Sequence, residues 1–209
     1  SNLVPVLDLG VQALTGVFPP NPETHVTEGP LELVLCPDSG LVQLGHSYDL
    51  DEMYGANYGY RSGLHASMVT HLTNKAEALA RYVQLRQGDI VLDIGSNDAT
   101  LLKAYPQLGQ RLVGIDPTGV KFSHFYPQHI ELIPEFFSAD GFPEGMQSKQ
   151  AQIVTSISMF YDLETPLSFM EQVGSILAVD GVWHMEQSYL PLMLERNAYD
   201  TVCHEHLEY

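Results

Sequence analysis

Basic residues are scarce in this chain of 209 residues. It has 9 Lys and Arg against 26 Asp and Glu, which gives a formal net charge of -17 at pH 7 with neutral histidines. Such a surface repels phosphates, so neither a nucleic acid polymer nor an anionic membrane is expected as the main partner.

Long hydrophobic runs are also missing. No stretch approaches the roughly 20 apolar residues that span a bilayer, and none has the pattern of a signal peptide. We therefore expect a cytoplasmic protein.

Cysteine is equally rare, with Cys36 and Cys203 the two in the chain. Their separation gives no indication of a disulfide framework and favours a reducing compartment. Cys36 begins the tetrapeptide Cys-Pro-Asp-Ser, which has the outline of a zinc knuckle, but Ser39 stands where the second thiolate would be needed. Cys36 is thus a candidate ligand of an incomplete metal site, and an ordinary buried, apolar cysteine explains it equally well.

Glycine is sparse where a dinucleotide-binding loop would need it. The apolar run 90–94 ends at Gly95, and Ser96, Asn97 and Ala99 follow at positions where such a loop would have further glycines. A pyrophosphate would fit this loop poorly, whereas S-adenosylmethionine has no pyrophosphate and needs less glycine. The alternative is an ordinary strand, turn and helix with Ser96 or Asn97 as a cap.

Two aspartates lie at the ends of neighbouring predicted strands. Asp93 is near the end of the first apolar run, and Asp116 follows the next run, 112–115. In dinucleotide-binding folds an acid about 20 residues further on binds the ribose hydroxyls. The pattern therefore predicts the S-adenosylmethionine site of a class I methyltransferase, with Asp116 on the ribose. The predicted cofactor-binding residues of these segments are Asp93, Gly95, Ser96, Asn97, Asp116 and Pro117.

The apolar pattern divides the chain into three regions. Residues 1–50 have short apolar runs between proline and glycine turns, typical of a small β-rich module that needs a staple such as a metal. Residues 51–88 contain a tyrosine-rich loop and a linker helix at 62–85. Residues 89–209 alternate strands and helices, which predicts a doubly wound, Rossmann-like α/β sheet. Strands are predicted at 90–94, 111–115, 130–133, 151–159 and 181–189, with a helix that begins at Pro166 after the cap Thr165.

Five strands leave this sheet short, because a complete class I methyltransferase sheet has seven. We therefore expect the S-adenosylmethionine domain to be incomplete at its C-terminus. The chain begins at Ser1 without a methionine and ends at Tyr209 after a dense polar segment. Both features indicate a piece of a longer protein.

The final segment, 199–209, has two imidazoles, three carboxylates and two phenols. A neutral histidine beside a carboxylate is a suitable general base near pH 7. If the segment is extended, His204 and His206 share one side, whereas in a turn Glu205 and His206 could contact one ligand. A His-x-His metal site and a solvated polar loop are the alternatives.

A second candidate segment is the loop at 54–63, where tyrosines alternate with glycines and small residues. Such a loop could cover a methyl donor, whose sulfonium is attracted to aromatic faces. The simpler interpretation is a linker whose tyrosines pack on a sheet edge. Tyr58 and Tyr60 are the candidate functional side chains.

Five motifs, in this order, resemble the sugar C-methyltransferase family of antibiotic and surface-polysaccharide pathways. They are YGYRSG at 58–63, DIGSND at 93–98, GIDPTG at 114–119, MEQSYL at 185–190 and CHEHLEY at 203–209. The resemblance implies an N-terminal zinc module, a central S-adenosylmethionine domain, a C-terminal Rossmann-like domain and a nucleotide-linked 4-keto-deoxyhexose as substrate. This chain would then lack the first cysteine pair and the third domain, and structural zinc is expected in the full-length protein.

The resemblance also implies residue roles. His206 would be the base that removes a proton alpha to the keto group, Glu205 its partner, and Tyr58 or Tyr60 a hydrogen-bond donor near the methyl or the enolate. Cys203 stands where the family often has tyrosine. By analogy with related folds, Phe136 and Phe137 flank the adenine. The remaining alternatives are an O- or N-methyltransferase of another small molecule and a non-catalytic S-adenosylmethionine-binding fragment.

Overall fold

The computed structural model describes residues 2–54, 58–141 and 150–209. Residues 55–57 of the tyrosine-rich loop lie outside the described residues. The contacts divide the chain into two compact units. The first unit contains residues 1–60, 158–164 and 187–209, and the second contains residues 61–157 and 165–186.

The first unit is built on an antiparallel sheet of three strands, β1 (Val4–Ala13), β2 (Glu28–Leu35) and β3 (Val42–Leu44), in that order. It confirms the small β-rich module expected from the short apolar runs. Alternate residues of β2 and β3 point inward and form the buried core, as a half-buried sheet requires. This core consists of Leu31, Leu33, Val42 and Leu44.

The end of the chain packs on this sheet. The peptide N–H of Leu44 donates to the carbonyl of Leu207 at 2.9 Å, and that of Tyr209 donates to the carbonyl of Val42 at 2.9 Å. Residues 187–209, with a short helix α6 at Leu190–Arg196, therefore belong to the first unit. The sequence pattern placed them in the same region as the parallel sheet, because it shows local alternation and not which sheet a terminal segment joins.

The second unit contains a parallel sheet of five strands. The strands are β4 (Ile90–Ile94), β5 (Arg111–Ile115), β6 (Ile130–Ile133), β7 (Ala151–Ile157) and β8 (Leu177–Glu186). Their order is β6-β5-β4-β7-β8, which is the 3-2-1-4-5 order of a doubly wound fold. The predicted α/β class is confirmed. The strand order reverses between β4 and β7, which pair in parallel, and ligands bind at such a switch point in open α/β sheets.

The helices of the two units are mostly short. Besides α6, they are α1 (Leu50–Met53), α2 (Ala66–Tyr82), α3 (Thr100–Lys103), α4 (Gly119–Phe122) and α5 (Pro166–Ile176). The buried side of α2 packs with α3 and β4 through Leu72, Ala76, Leu79 and Leu102. In the described part of the chain, no helix has the length and apolar character to cross a bilayer.

Candidate active site

The loop after β4 has the backbone of a glycine-rich loop but few glycines. Gly95, Asn97 and Ala99 have φ angles of 77°, 50° and 60°. This left-handed region suits glycine, tolerates asparagine and costs a residue such as alanine on the order of 1–2 kcal/mol. Ala99 is fully buried. The loop therefore turns as a Gly-x-Gly-x-Gly loop would, and the strained conformation is held by its surroundings.

Asp116 is the main support of this loop. Its Oδ2 accepts the backbone N–H of Asn97 at 2.7 Å, while its Oδ1 accepts the backbone N–H of Thr118 at 2.7 Å and the Thr118 hydroxyl. The side chain is buried, with 6% exposure. Among the described residues, Oδ2 has the Asn97 N–H as its one donor, and a carboxylate oxygen can accept two hydrogen bonds. A ribose hydroxyl could donate the second.

Asp93 lies at the switch point between β4 and β7. Its Oδ1 accepts the hydroxyl of Thr155 at 2.6 Å, and Thr155 is fully buried. Burial raises the pKa of Asp93 to about 7, the Thr155 hydrogen bond opposes this, and the negative charge of Asp116 adds to it. A carboxyl group with this pKa is only partly ionised at neutral pH, so Asp93 brings less than a full negative charge to the crevice.

The pKa of Asp93 predicts a pH-dependent stability. Because the folded-state pKa lies above the ordinary value of 3.8, folding takes up a proton between these values and stability falls as pH rises toward 7. We expect Asp93→Asn to reduce the loss of unfolding free energy between pH 5 and 8 by about 2–3 kcal/mol. Urea unfolding of the wild type and of Asp93→Asn at several pH values measures this difference in unfolding free energy.

Asp162 provides the internal reference for that measurement, because burial raises its pKa to about 8 and it remains in the variant. In both the wild type and Asp93→Asn, the unfolding free energy should therefore still fall as the pH rises. Parallel pH profiles for the wild type and Asp93→Asn would show that Asp93 is charged in the folded protein.

Two hydroxyl groups, which the sequence gives no reason to pair, stabilise this loop. The Tyr126 hydroxyl donates to the carbonyl of Asn97 at 3.0 Å and lies 2.8 Å from the hydroxyl of Ser96. A side chain at position 114 would collide with Ser96, so Gly114 makes the close approach possible. Tyr126 follows α4 by four residues in a segment with no recognisable motif, which explains why sequence reasoning missed it.

The other predicted cofactor residues lie at the ends of strands of the same unit. Pro117 directly follows Asp116 and is half-buried. After β6, Phe136 is 52% exposed, whereas Phe137 packs edge-on against Phe169 with ring centroids 5.2 Å apart. Their role at the adenine stays a prediction.

In the first unit, the segment 199–209 forms turns, and its two imidazoles have different environments. His204 is fully buried: its backbone N–H donates to the Thr15 hydroxyl at 2.8 Å, and its Nε2 lies 3.3 Å from the carbonyl of Gly29. The ring packs edge-on against Tyr48. These contacts tie the segment to the β-rich module, so His204 is structural and not part of a His-x-His pair.

His206 is oriented by a backbone carbonyl. Its Nδ1 lies 2.7 Å from the carbonyl of Thr201, and its ring centroid lies 4.2 Å from that of Tyr161. The hydrogen bond requires a proton on Nδ1, which leaves Nε2 of the neutral ring as an acceptor. Burial lowers the pKa of His206. The orienting acceptor is thus the Thr201 carbonyl, where the sequence predicts Glu205 in that role.

Glu205 and Cys203 lie beside His206. Their ligand atoms and a ring nitrogen of His206 are all within 4.8 Å of one another. Burial raises the pKa of Glu205 and raises that of Cys203 to about 12. Asp162 and Tyr54 interact electrostatically with Glu205. Tyr54 begins the tyrosine-rich loop, whereas Asp162 was not predicted, because it is distant in sequence from this segment and belongs to no motif.

The carboxylate of Glu205 occupies the space that a side chain at position 16 would fill. Gly16 has a φ of 82°, and Gly10 has a φ of 73° with open space around it. We expect Gly10→Ala to cost about 1 kcal/mol of unfolding free energy through backbone strain. Gly16→Ala should cost roughly 2–3 kcal/mol, because its methyl group also displaces Glu205. Equal losses in urea unfolding would show that Glu205 moves aside freely.

The tyrosine-rich loop contributes to the first unit. Tyr58 forms an isolated antiparallel bridge with Val17, and its ring lies 5.5 Å from that of Tyr54. Tyr60 is 45% exposed. Both share a unit with His206, as the predicted roles require, and those roles stay predictions.

Cys36 lies in the turn between β2 and β3. Its backbone N–H donates to the carbonyl of Leu41, and its carbonyl accepts the N–H of Gly40, both at 2.8 Å. This is the compact loop that a knuckle needs, but it has one thiol. Within residues 2–54, as described, Cys36 does not belong to any group of three metal-binding side chains. The residues around Cys36 therefore do not complete a zinc site.

The second unit has the architecture of nucleoside-binding α/β proteins, with an acid at the carboxyl end of each of two adjacent parallel strands. Residues 1–54 match a family described as "Putative zinc binding domain". The C-methyltransferase NovU of Streptomyces niveus is 29% identical over 181 residues, which cover 86% of this chain and 43% of that protein. These two matches confirm the resemblance that the motifs indicated. The chain spans less than half the length of that relative.

Solved structures are similar in fold. The plantazolicin methyltransferase BpumL, in complex with monoazolic desmethylPZN analog and SAH, aligns over 66% of this chain and 53% of its own, with a TM-score of 0.48 and 15% identity. Precorrin-6y C5,15-methyltransferase from Geobacter metallireducens GS-15 aligns over 66% of this chain and 71% of its own, with a TM-score of 0.41 and 16% identity.

Proposed function

We propose that the chain is the donor-binding and base-containing part of an S-adenosylmethionine-dependent C-methyltransferase of deoxysugar biosynthesis, with a nucleotide-linked keto-deoxysugar as substrate. The observation that carries the proposal is the similarity to a C-methyltransferase over 86% of the chain. The site geometry supports it, because Asp116 keeps an acceptor for a ribose hydroxyl and His206 keeps Nε2 as an acceptor.

The residues of this chain would act as follows. Asp116 and the loop 95–99 hold the adenosyl group, and no pyrophosphate is required. When bound, S-adenosylmethionine supplies a methyl group on a positively charged sulfur. His206 would take the proton alpha to the keto group through Nε2, and the electron pair of the broken C–H bond would form the enolate. The enolate carbon would then bond to the methyl carbon as the sulfur–methyl bond breaks, with that electron pair returning to sulfur and S-adenosylhomocysteine leaving. Tyr58 or Tyr60 would donate a hydrogen bond to the enolate oxygen.

Transfer of an isotopically labelled methyl group tests this function. The chain is incubated in D₂O with labelled donor and nucleotide-linked 4-keto-deoxyhexoses, and the product is examined by NMR. We expect the label on a sugar carbon, and deuterium at that carbon when donor is left out. Label on oxygen or nitrogen without deuterium exchange would contradict the proposal in favour of an O- or N-methyltransferase. Binding of S-adenosylhomocysteine without exchange or transfer would indicate a fragment that only binds the donor.

A further inference from the structure

Three different metal-binding atoms converge in the turn at 203–206. The thiol of Cys203, the carboxylate of Glu205 and a ring nitrogen of His206 lie within 4.8 Å of one another. All three residues are partly buried. Among the residues that the structure describes, this is the one group of three or more His, Cys, Asp or Glu side chains that could hold a metal ion.

We propose that Cys203, Glu205 and His206 bind Zn²⁺. A set of sulfur, nitrogen and carboxylate ligands suits this ion, and three protein ligands leave a fourth tetrahedral position open to water. Ligand atoms around tetrahedral zinc lie about 3.4–3.6 Å apart, from bond lengths of about 2.0–2.3 Å. Metal binding would close the remaining distance by rotation of the Cys203 and Glu205 side chains, which lie outside regular helices and strands.

The surroundings of His206 fit a zinc ligand. Zinc-bound histidines usually donate their other ring N–H to a carbonyl or carboxylate, which fixes the ring. Here the Thr201 carbonyl accepts from Nδ1 at 2.7 Å, so Nε2 is the atom left to the metal. His204 does not compete, because its ring is buried between Thr15 and Gly29.

The expected effect of Zn²⁺ on methyl transfer rests on the proposed function. Metal coordination and proton abstraction would both use the Nε2 lone pair of His206, so they exclude each other. Zn²⁺ should therefore inhibit methyl transfer reversibly, and a chelator should restore it. The site is also distinct from Cys36, which lies within the segment that matches a zinc-binding family.

The two cysteines make a matched test. Zn²⁺ affinity of the 209-residue chain is measured by competition with a chromophoric chelator, and Co²⁺ binding is followed by the thiolate-to-cobalt absorption band, for the wild type, Cys203→Ser and Cys36→Ser. We expect Cys203→Ser to remove the band and weaken Zn²⁺ binding at least tenfold, and Cys36→Ser to change neither. His206→Gln should also weaken binding. Circular dichroism checks that each variant is folded.

Several results would overturn this assignment. A wild type that does not bind Zn²⁺, or a band lost in Cys36→Ser and kept in Cys203→Ser, would place no metal at Cys203. Full methyl transfer by zinc-saturated protein would refute the inhibitory role. Because binding is measured without substrate, zinc bound by a chain that never transfers methyl groups would contradict the proposed function and leave the metal site standing.

Discussion

Replacing His206 by glutamine is expected to lower the rate of methyl transfer by about 10²–10⁴-fold, which is the usual contribution of a general base. Glutamine can still donate to the Thr201 carbonyl, but its amide cannot accept a proton at neutral pH. The predicted donor-binding residues, among them Asp93 and Asp116, belong to the other compact unit. Affinity for S-adenosylhomocysteine should therefore stay within a few-fold, which isothermal titration calorimetry measures beside the initial rate.

His204→Gln is the matched control, since it makes the same exchange two positions away. His204 is fully buried and contacts the Thr15 hydroxyl and the Gly29 carbonyl. Loss of the imidazole should therefore lower the unfolding free energy by about 1–3 kcal/mol. The rate of methyl transfer per folded molecule of His204→Gln should equal that of the wild type. Normal turnover by folded His206→Gln would exclude His206 as the base.

The strands of the parallel sheet were the most predictable part of the molecule. β4, β5 and β6 have the predicted bounds, because each is a short apolar run that ends at a residue unsuited to a strand, such as Gly95 or Asp116. β8 differs: it begins at Leu177, directly after α5, where the pattern predicted a start at Gly181. Residues 179 and 180 are exposed and interrupt the apolar pattern.

The predicted donor site was readable because its residues come from two adjacent strand ends and one loop. The sequence also showed where glycines are missing, but not that the backbone keeps a glycine-like turn. Asn97 and Ala99 adopt left-handed conformations there, and such strain appears only when the surrounding hydrogen bonds are known. The Asp116 contact to Asn97 is the clearest of these.

The surroundings of His206 could not be predicted, since they are assembled from distant segments. Asp162 and Tyr161 come from the turn after β7, and the peptide N–H of Leu207 donates to the Tyr161 carbonyl at 2.9 Å. His204 contacts Thr15, 189 positions away. A single sequence contains the residue types of such a cluster and gives no measure of which distant residues meet.

Asp116→Asn is expected to damage the donor site more than any other single-atom exchange in it. The folded loop presents donors to both carboxylate oxygens, with Thr118 on Oδ1 and Asn97 on Oδ2. An asparagine side chain has one oxygen, so in either orientation its NH₂ group faces a buried N–H. Leaving a buried donor unpaired costs about 1–3 kcal/mol.

The loss should appear in both stability and ligand binding. We expect the unfolding free energy of Asp116→Asn to fall by about 1–3 kcal/mol. Its affinity for S-adenosylhomocysteine should fall at least about tenfold, which corresponds to 1.4 kcal/mol. The measurements are urea unfolding and calorimetric titration below the unfolding transition.

Asp140→Asn removes the same charge at an exposed position of the second unit and provides the control. Its affinity should match the wild type, because an exposed charge is screened by solvent and salt. If Asp116→Asn binds S-adenosylhomocysteine as tightly as Asp140→Asn does, Asp116 does not contact the ribose. The donor would then bind elsewhere on the sheet, because the loop 95–99 depends on this carboxylate for its conformation.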